Sequence, residues 1–235
     1  MRKYLALILL LHLSSCAELQ EVVNSLPQGG NAILSSTDIA SGLRQALDLG
    51  IDEQVTKLTQ KDGFFKNDLV KIGLPKELQK VDKGLRNIGL GNLADEGLRV
   101  LNRAAEDAVK EATPIFVKAV KDITFNDAKT ILMGNDNAAT QYLTSKTQTE
   151  LYRKFEPVIK TSFAKVGADQ IWSNLIGKYN AIPFTTPVNP DLTQYVTQEA
   201  LEGVYTMIAI EEKDIRNNIS LRTTDLLRKV FALQD

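Results

Sequence analysis

Apolar positions recur every three to four residues along most of the chain, a period that predicts helix after helix. Ile39, Leu43, Leu47, Ile51, Val55 and Leu58 form one stripe from residue 36 until Gly63 stops it. Phe64 and Phe65 begin a connector carrying Leu69, Val70 and Ile72. Leu74-Pro75 opens a second helix, since proline suits the first helical position, with Leu78, Val81, Leu85 and Ile88 on its apolar face. Asn92 is placed to cap a third, longer helix. Its face of Leu93, Leu101, Ala104, Ala105, Ala108 and Val109 is rich in small residues that admit a close neighbour. Thr113-Pro114 interrupts it, either as a kink or as the start of a new helix through Phe116 and Val120.

Two capping-box sequences follow. Thr124-Phe125-Asn126-Asp127 predicts a short helix that stops at Gly134. Thr147-Gln148-Thr149-Glu150 predicts the start of another, bearing Leu151, Phe155, Val158 and Ile159, bent at Pro157 and closed by Gly167. Ile171, Trp172, Leu175 and Ile176 belong to the next helix, and Pro183, Pro187 and Pro190 mark 182–191 as a loop. Thr197 is placed to cap a helix with Leu201, Val204, Tyr205, Ile208 and Ile215, and 220–234 forms a last one with Leu226, Leu227, Val230 and Phe231. No stretch alternates with period two and no repeat of fixed length emerges. The expectation is an all-α fold, a multi-helix bundle of about eight to ten helices.

The first sixteen residues are of another kind. Arg2 and Lys3 precede an apolar run over 4–13, which ends in Leu13-Ser14-Ser15-Cys16. That run falls well short of the ~20 helical residues a hydrocarbon core requires, and the layout is that of a secretory signal peptide. Its last four residues resemble a bacterial lipobox, in which the cysteine sulfur takes a diacylglyceryl group and becomes the mature N-terminus. Cys16 is therefore the expected lipidation site. Each buried methylene of its acyl chains, palmitate among them, adds ~0.8 kcal/mol of membrane affinity. The competing reading, a secreted chain with a leftover cysteine, leaves an unpaired thiol in an oxidising compartment. Ala17 follows the cysteine where an Asp would favour the inner membrane, so the expected location is the bacterial outer membrane, on its periplasmic face. The chain divides into a signal peptide (1–15), a lipidated tether (16–36) and a single all-helical domain (37–235). A flexible run of about 20 residues spans on the order of 25 Å.

Processing removes chemistry. The one histidine, His12, leaves with the signal peptide, and the one cysteine, Cys16, is consumed by lipid. A mature chain without imidazole or thiol has no Ser-His or Cys-His nucleophile, no Cys/His zinc site and no internal disulfide. Taking Arg2 and Lys3 from the 28 basic residues leaves 26 against 29 acidic ones, which gives no electrostatic case for nucleic acid. No cofactor and no metal is expected. The expected partners are the membrane, through the anchor, and a protein of the envelope.

Several segments resemble the bacterial lipoproteins of domain of unknown function 4197: Asn102-Arg103-Ala104-Ala105-Glu106, Asp127-Ala128-Lys129, Gly134-Asn135-Asp136-Asn137-Ala138-Ala139-Thr140 and Lys178-Tyr179-Asn180. Asp62-Gly63-Phe64, Ile72-Gly73-Leu74-Pro75 and 223–231 are similar as well. The resemblance covers about 41–231 and implies fold and location, but no activity. Leu101 stands where family members often carry Met, a swap that keeps the volume.

Within these segments Asn102, Arg103 and Glu106 share one helix face. They suit either an anion hook with Asn102 orienting a ligand, or an Arg–Glu pair knitting helices together. Asp127 and Tyr142 complete the ligand or interaction candidates. The Gly134–Asn137 stretch carries oxygen donors, but Ala138 and Ala139 sit where a calcium loop needs ligands, so Gly134 reads as a helix stop and Asp136 as the next cap. Tyr142, Tyr152, Tyr179, Tyr195 and Tyr205, with Phe155, Phe163 and Trp172, fall at helical spacings that favour core packing over a pocket lining. Glu211, Glu212 and Asp214, beside Lys213 and Arg216, read as a solvated face. The leading functional expectation is a non-enzymatic, lipid-anchored structural or interaction module. A carrier of a small apolar or anionic ligand near Arg103 is the alternative, and a carboxylate-based cell-wall hydrolase ranks third.

Overall fold

The computed structural model describes residues 34–234, apart from 88, 90, 169, 171, 174–176, 178, 179, 182, 185, 186, 188 and 190. The signal peptide, Cys16 and most of the expected tether lie outside the described residues, as do half of the 182–191 loop and two residues of the Lys178-Tyr179-Asn180 segment.

Ser35 and Asp38 start the first helix, α1 (Ser36–Thr59), with a reciprocal capping box. The Ser35 hydroxyl accepts from the Asp38 N–H at 3.1 Å, and the Asp38 carboxylate accepts from the Ser35 N–H at 3.0 Å. The stripe of Leu43, Leu47, Ile51, Val55 and Leu58 is buried along it. Gly63 turns the chain so tightly that a Cβ there would lie 2.5 Å from the Lys57 carbonyl oxygen, a contact only glycine avoids. The connector then tucks Phe64, Val70 and Ile72 into the core. Pro75 precedes a 3-10 turn, Lys76–Leu78, that leads into α2 (Gln79–Asn87).

Next come α3 (Gly91–Val109), α4 (Ala112–Lys121), α5 (Phe125–Leu132), α6 (Ala138–Lys165) and α7 (Thr193–Asn217); a 3-10 turn, Ile219–Leu221, precedes α8 (Asp225–Phe231). The four long helices α1, α3, α6 and α7 frame the core. α6 packs against both α3 and α7, α1 packs against α7, and α4, α5 and α8 close over α1. Ala104, Ala105 and Ala108 of α3 are fully buried where small side chains let helices approach. Leu101, Phe116, Leu143 and Phe155 fill the centre, each such burial contributing roughly 1.5–3 kcal/mol. The described residues contain helices and no strand, and none of their helices is long and apolar enough to cross a membrane.

Several expected helix starts are corrected. Thr147 does not begin a helix: it lies inside α6, its hydroxyl donating to the Leu143 carbonyl at 2.7 Å. Thr197 is likewise interior to α7 and donates to the Thr193 carbonyl at 2.7 Å. A threonine followed by an acid three residues on satisfies the capping pattern, yet mid-helix the same hydroxyl bonds back to the i−4 carbonyl. The true start of α7 is marked by Asp191, whose carboxylate accepts from the Thr193 N–H at 2.8 Å. Asn92 falls in the first turn of α3 rather than before it, and Glu111, without a side-chain cap, precedes α4. The last helix is shorter than 220–234 because Thr224, capping the Leu227 N–H at 3.2 Å, starts it late. At the Thr124–Asp127 box and at Gly167 (φ 64°), which follows the end of α6, the expected boundaries hold.

Candidate functional site

α3 carries the polar cluster that stands out in the sequence, and the connector 60–75 lies across it. Asn102 is fully buried. Its side-chain oxygen accepts from the Ile72 N–H at 2.8 Å, while its amide nitrogen donates to the Ile72 carbonyl at 2.8 Å and to the Leu98 carbonyl at 2.7 Å. The side chain thus pairs with both main-chain groups of Ile72, pinning the connector to the helix.

Glu106, one turn along, is 2% exposed. Its Oε1 accepts from the Phe64 N–H at 3.3 Å, and its Oε2 lies 3.1 Å from Arg103 Nη1, an ion-pair contact outside hydrogen-bond geometry that leaves Oε2 without a hydrogen bond. Burial pushes the Glu106 carboxyl above its ordinary range, only partly countered by the Phe64 N–H and the Arg103 charge. Arg103, 44% exposed, also reaches Asp62 at 3.3 Å. Asp62 sits in the left-handed region (φ 64°) and is held below the usual carboxylate range chiefly by its hydrogen bond to Lys66. Arg103 therefore faces two carboxylates, which leaves little uncompensated charge to attract an external anion. Three sequence-predicted residues, Asn102, Arg103 and Glu106, come together here, and their partners are the Asp62-Gly63-Phe64 and Ile72-Gly73 segments.

Asp127 and Tyr142 belong elsewhere. Asp127 completes the α5 capping box: its carboxylate accepts from the Thr124 N–H at 2.9 Å, and its own N–H donates to the Thr124 hydroxyl. The Thr124 hydroxyl contact is what chiefly holds its carboxyl below the ordinary range. Tyr142 is half-buried with Lys146 Nζ 5.5 Å from its ring centre, and burial raises its phenol, with the Asp127 and Asp122 charges adding to the shift. Among the other aromatics, Phe155, Phe163 and Trp172 are buried. Tyr205 packs edge-on to Phe116 and shares a 2.7 Å hydrogen bond with the Thr147 hydroxyl; its burial pushes the phenol up to about 12.

The face expected to be solvated holds a buried pair instead. Glu212 and Arg216 of α7 are 8% and 7% exposed. Glu212 Oε1 accepts from the Ala139 N–H at 2.8 Å, and Oε2 accepts from the Thr140 N–H and hydroxyl, each at 2.8 Å. The carboxylate therefore caps α6 from a helix more than seventy residues away, a job expected of Asp136. Arg216 binds Glu212 through Nε and Nη2 at 3.0 and 2.8 Å and donates to the Leu132 and Ile131 carbonyls at 3.1 and 2.8 Å, closing the end of α5. A cation on the carbonyls and an anion on the N–H groups match both helix dipoles. The available signal was spacing: Glu212 continues the buried set Val204 and Ile208 by four residues. Glu211 is engaged too, accepting from the buried Gln54 amide at 2.6 Å; burial pushes its carboxyl up.

The clefts lie away from Arg103. The apolar one between α1 and α7, walled by Leu47, Ile51 and Ile208, holds only about 20 Å³, room for roughly one water. Larger clefts of about 550 and 610 Å³ flank α7 near Tyr152 and near Asn135. Among the described residues no group of three or more acidic, histidine or cysteine side chains is placed to hold a metal ion.

The family model described as "Protein of unknown function (DUF4197)" matches residues 33–232. No curated protein and no solved structure matches the chain.

Proposed function

The chain belongs to the family of proteins of unknown function DUF4197, and on that premise we propose that it is a lipid-anchored, non-enzymatic module of the bacterial envelope, held at the outer membrane by acylated Cys16 and facing the periplasm. The observation that carries the non-enzymatic part is the engagement of its most conspicuous polar side chains. Asn102, Glu106, Glu212 and Arg216 are buried and bonded to main-chain atoms of neighbouring segments. A general acid or nucleophile must reach a substrate, and these groups face the interior. The anchor is supported by the sequence alone: the basic start, the apolar run over 4–13 and the Leu13-Ser14-Ser15-Cys16 site.

Metabolic labelling with a palmitate analogue tests the anchor. The expected result is label on the wild-type chain, loss of label in Cys16→Ser, and release of that variant from the membrane fraction. Equal labelling of both chains, or wild-type protein recovered without label in the soluble periplasmic fraction, would end the proposal.

A further inference from the structure

The helical domain, 37–235, carries no cysteine, so its softest electron pairs are those of methionine sulfur. Oxidants convert such a thioether to a sulfoxide where they can reach it. The described residues contain two methionines, Met133 and Met207, and the fold treats them oppositely.

Met207 lies on the inner side of α7 and is 9% exposed. Along the helix it is flanked by the buried Val204 and Ile208. Its sulfur accepts from the Asn67 side-chain amide of the connector at 3.6 Å, so an oxygen added there would have to fit between the connector and α7. Met133 directly follows α5. The apolar face of that helix is used up by Ala128, Ile131 and Leu132, all buried. One further step of a 3.6-residue turn carries Met133 off the buried face, and it is 63% exposed.

The Met133 side chain borders a depression of about 460 Å³ that it shares with Leu233, 48% exposed, and the Arg216 guanidinium. Arg216 gives its Nε to Glu212, its Nη2 to Glu212 and Ile131, and its Nη1 to Leu132. A guanidinium has five N–H groups, which leaves one on Nη1 to spare. An oxygen on the Met133 sulfur thus enters a depression open to solvent and walled by a spare donor.

We propose that Met133 is a reversible oxidation site, modified by peroxides while the fold stays intact. The sulfur lone pair attacks one peroxide oxygen, and an S–O bond forms as the O–O bond breaks. The second oxygen leaves as water; the sulfur has lost two electrons and the peroxide has gained them. The sulfoxide is a polar group in place of an apolar one, beside Leu233. Its exposure also opens it to reductases, which return the thioether and release water while a dithiol becomes a disulfide. The site goes beyond the envelope role above and stands or falls without it.

Tryptic mapping of the purified protein after graded exposure to hydrogen peroxide tests it. Cleavage at Lys129 and Lys146 isolates Met133, and cleavage at Lys178 and Lys213 isolates Met207. The expected result is that the 130–146 peptide gains one oxygen at least about fivefold faster than the 179–213 peptide, following the exposures of the two sulfurs. In urea the two rates should converge, because unfolding exposes both. Protein oxidised at Met133 alone should melt within about 3 °C of untreated protein, and the epimer-specific methionine sulfoxide reductases with dithiothreitol should restore its mass while it is folded. Met133→Leu, which keeps the volume, should leave the slow oxidation of Met207 unchanged. Comparable rates in the folded protein, or a ratio that persists in urea, overturns the proposal. So does a larger fall in melting once Met133 alone is oxidised, or a sulfoxide that the reductases reach only after unfolding.

Discussion

Replacing Glu212 with alanine removes the acceptor of five hydrogen bonds: two from α6 main-chain N–H groups, one from the Thr140 hydroxyl and two from Arg216. The Arg216 guanidinium would stay buried with only the Ile131 and Leu132 carbonyls as partners. Breaking a buried pair from one side costs about 3–5 kcal/mol, against a total stability of roughly 5–15 kcal/mol for a domain. At about 2–4 °C per kcal/mol for this chain length, melting should fall by roughly 6–20 °C. Urea unfolding followed by far-ultraviolet circular dichroism reads the loss as a lowered midpoint with unchanged slope. Arg216→Met alone should cost a similar amount. The double variant should cost less than the sum by about 1–3 kcal/mol, because neither charge is then left stranded. It should not regain wild-type stability, since the first N–H groups of α6 and the last carbonyls of α5 lose their caps together. A loss below about 1 kcal/mol for Glu212→Ala, the size of a surface change, or strict additivity in the double variant, would refute the reasoning.

Other expectations follow from the same contacts. Asn102→Ala leaves the Ile72 N–H and carbonyl without side-chain partners in the interior and should cost about 2–3 kcal/mol in urea unfolding. Arg103→Ala should cost about 1 kcal/mol at neutral pH. Burial already raises the folded-state value of Glu106, so the unfavourable ionised carboxylate weighs above that value and is relieved as pH falls through it. The Arg103→Ala deficit should thus shrink on mild acidification, and a deficit that grows instead would contradict the assignment. Thr124→Ala should cost about 1 kcal/mol through loss of the α5 cap. Asp38 and Asp127, both held low by their capping boxes, stabilise the fold above the ordinary carboxylate range. That contribution is lost progressively as pH falls from the ordinary carboxylate range through their lowered values, so stability in urea should decline over that window, and the decline should be shallower in Thr124→Ala, where Asp127 has lost its hydroxyl partner. Gly63→Ala forces a Cβ against two carbonyl oxygens and should lower stability by about 1–3 kcal/mol.

The helical class and most apolar stripes were legible because they are local: Leu43, Leu47, Ile51, Val55 and Leu58 announce α1 by spacing alone. The α5 box was legible for the same reason, its two partners being three residues apart. What failed was nonlocal. The start of α6 is set by Glu212 across the bundle, so the local signals at Asp136 and Thr147 pointed to a cap and a start that the chain does not use. Glu212 itself looked like one of several surface acids until its register with Val204 and Ile208 is weighed above its charge. The α3 cluster was visible as a shared face, but the Ile72 and Phe64 main-chain groups that occupy it come from a connector whose path no periodicity describes. Segments on which the resemblance to the family was read meet in these contacts, with the connector pinned to α3 and the 134–140 turn pinned to α7.

The proposal for this chain depends most on where its mature form begins and what its sulfur carries. Intact-mass spectrometry of the protein extracted from membranes decides both at once. The predicted result is a chain starting at Cys16 with a thioether-linked diacylglyceryl group and further acylation at its amino terminus. A mass that retains residues 1–15, or a chain with an unmodified thiol at Cys16, would contradict it.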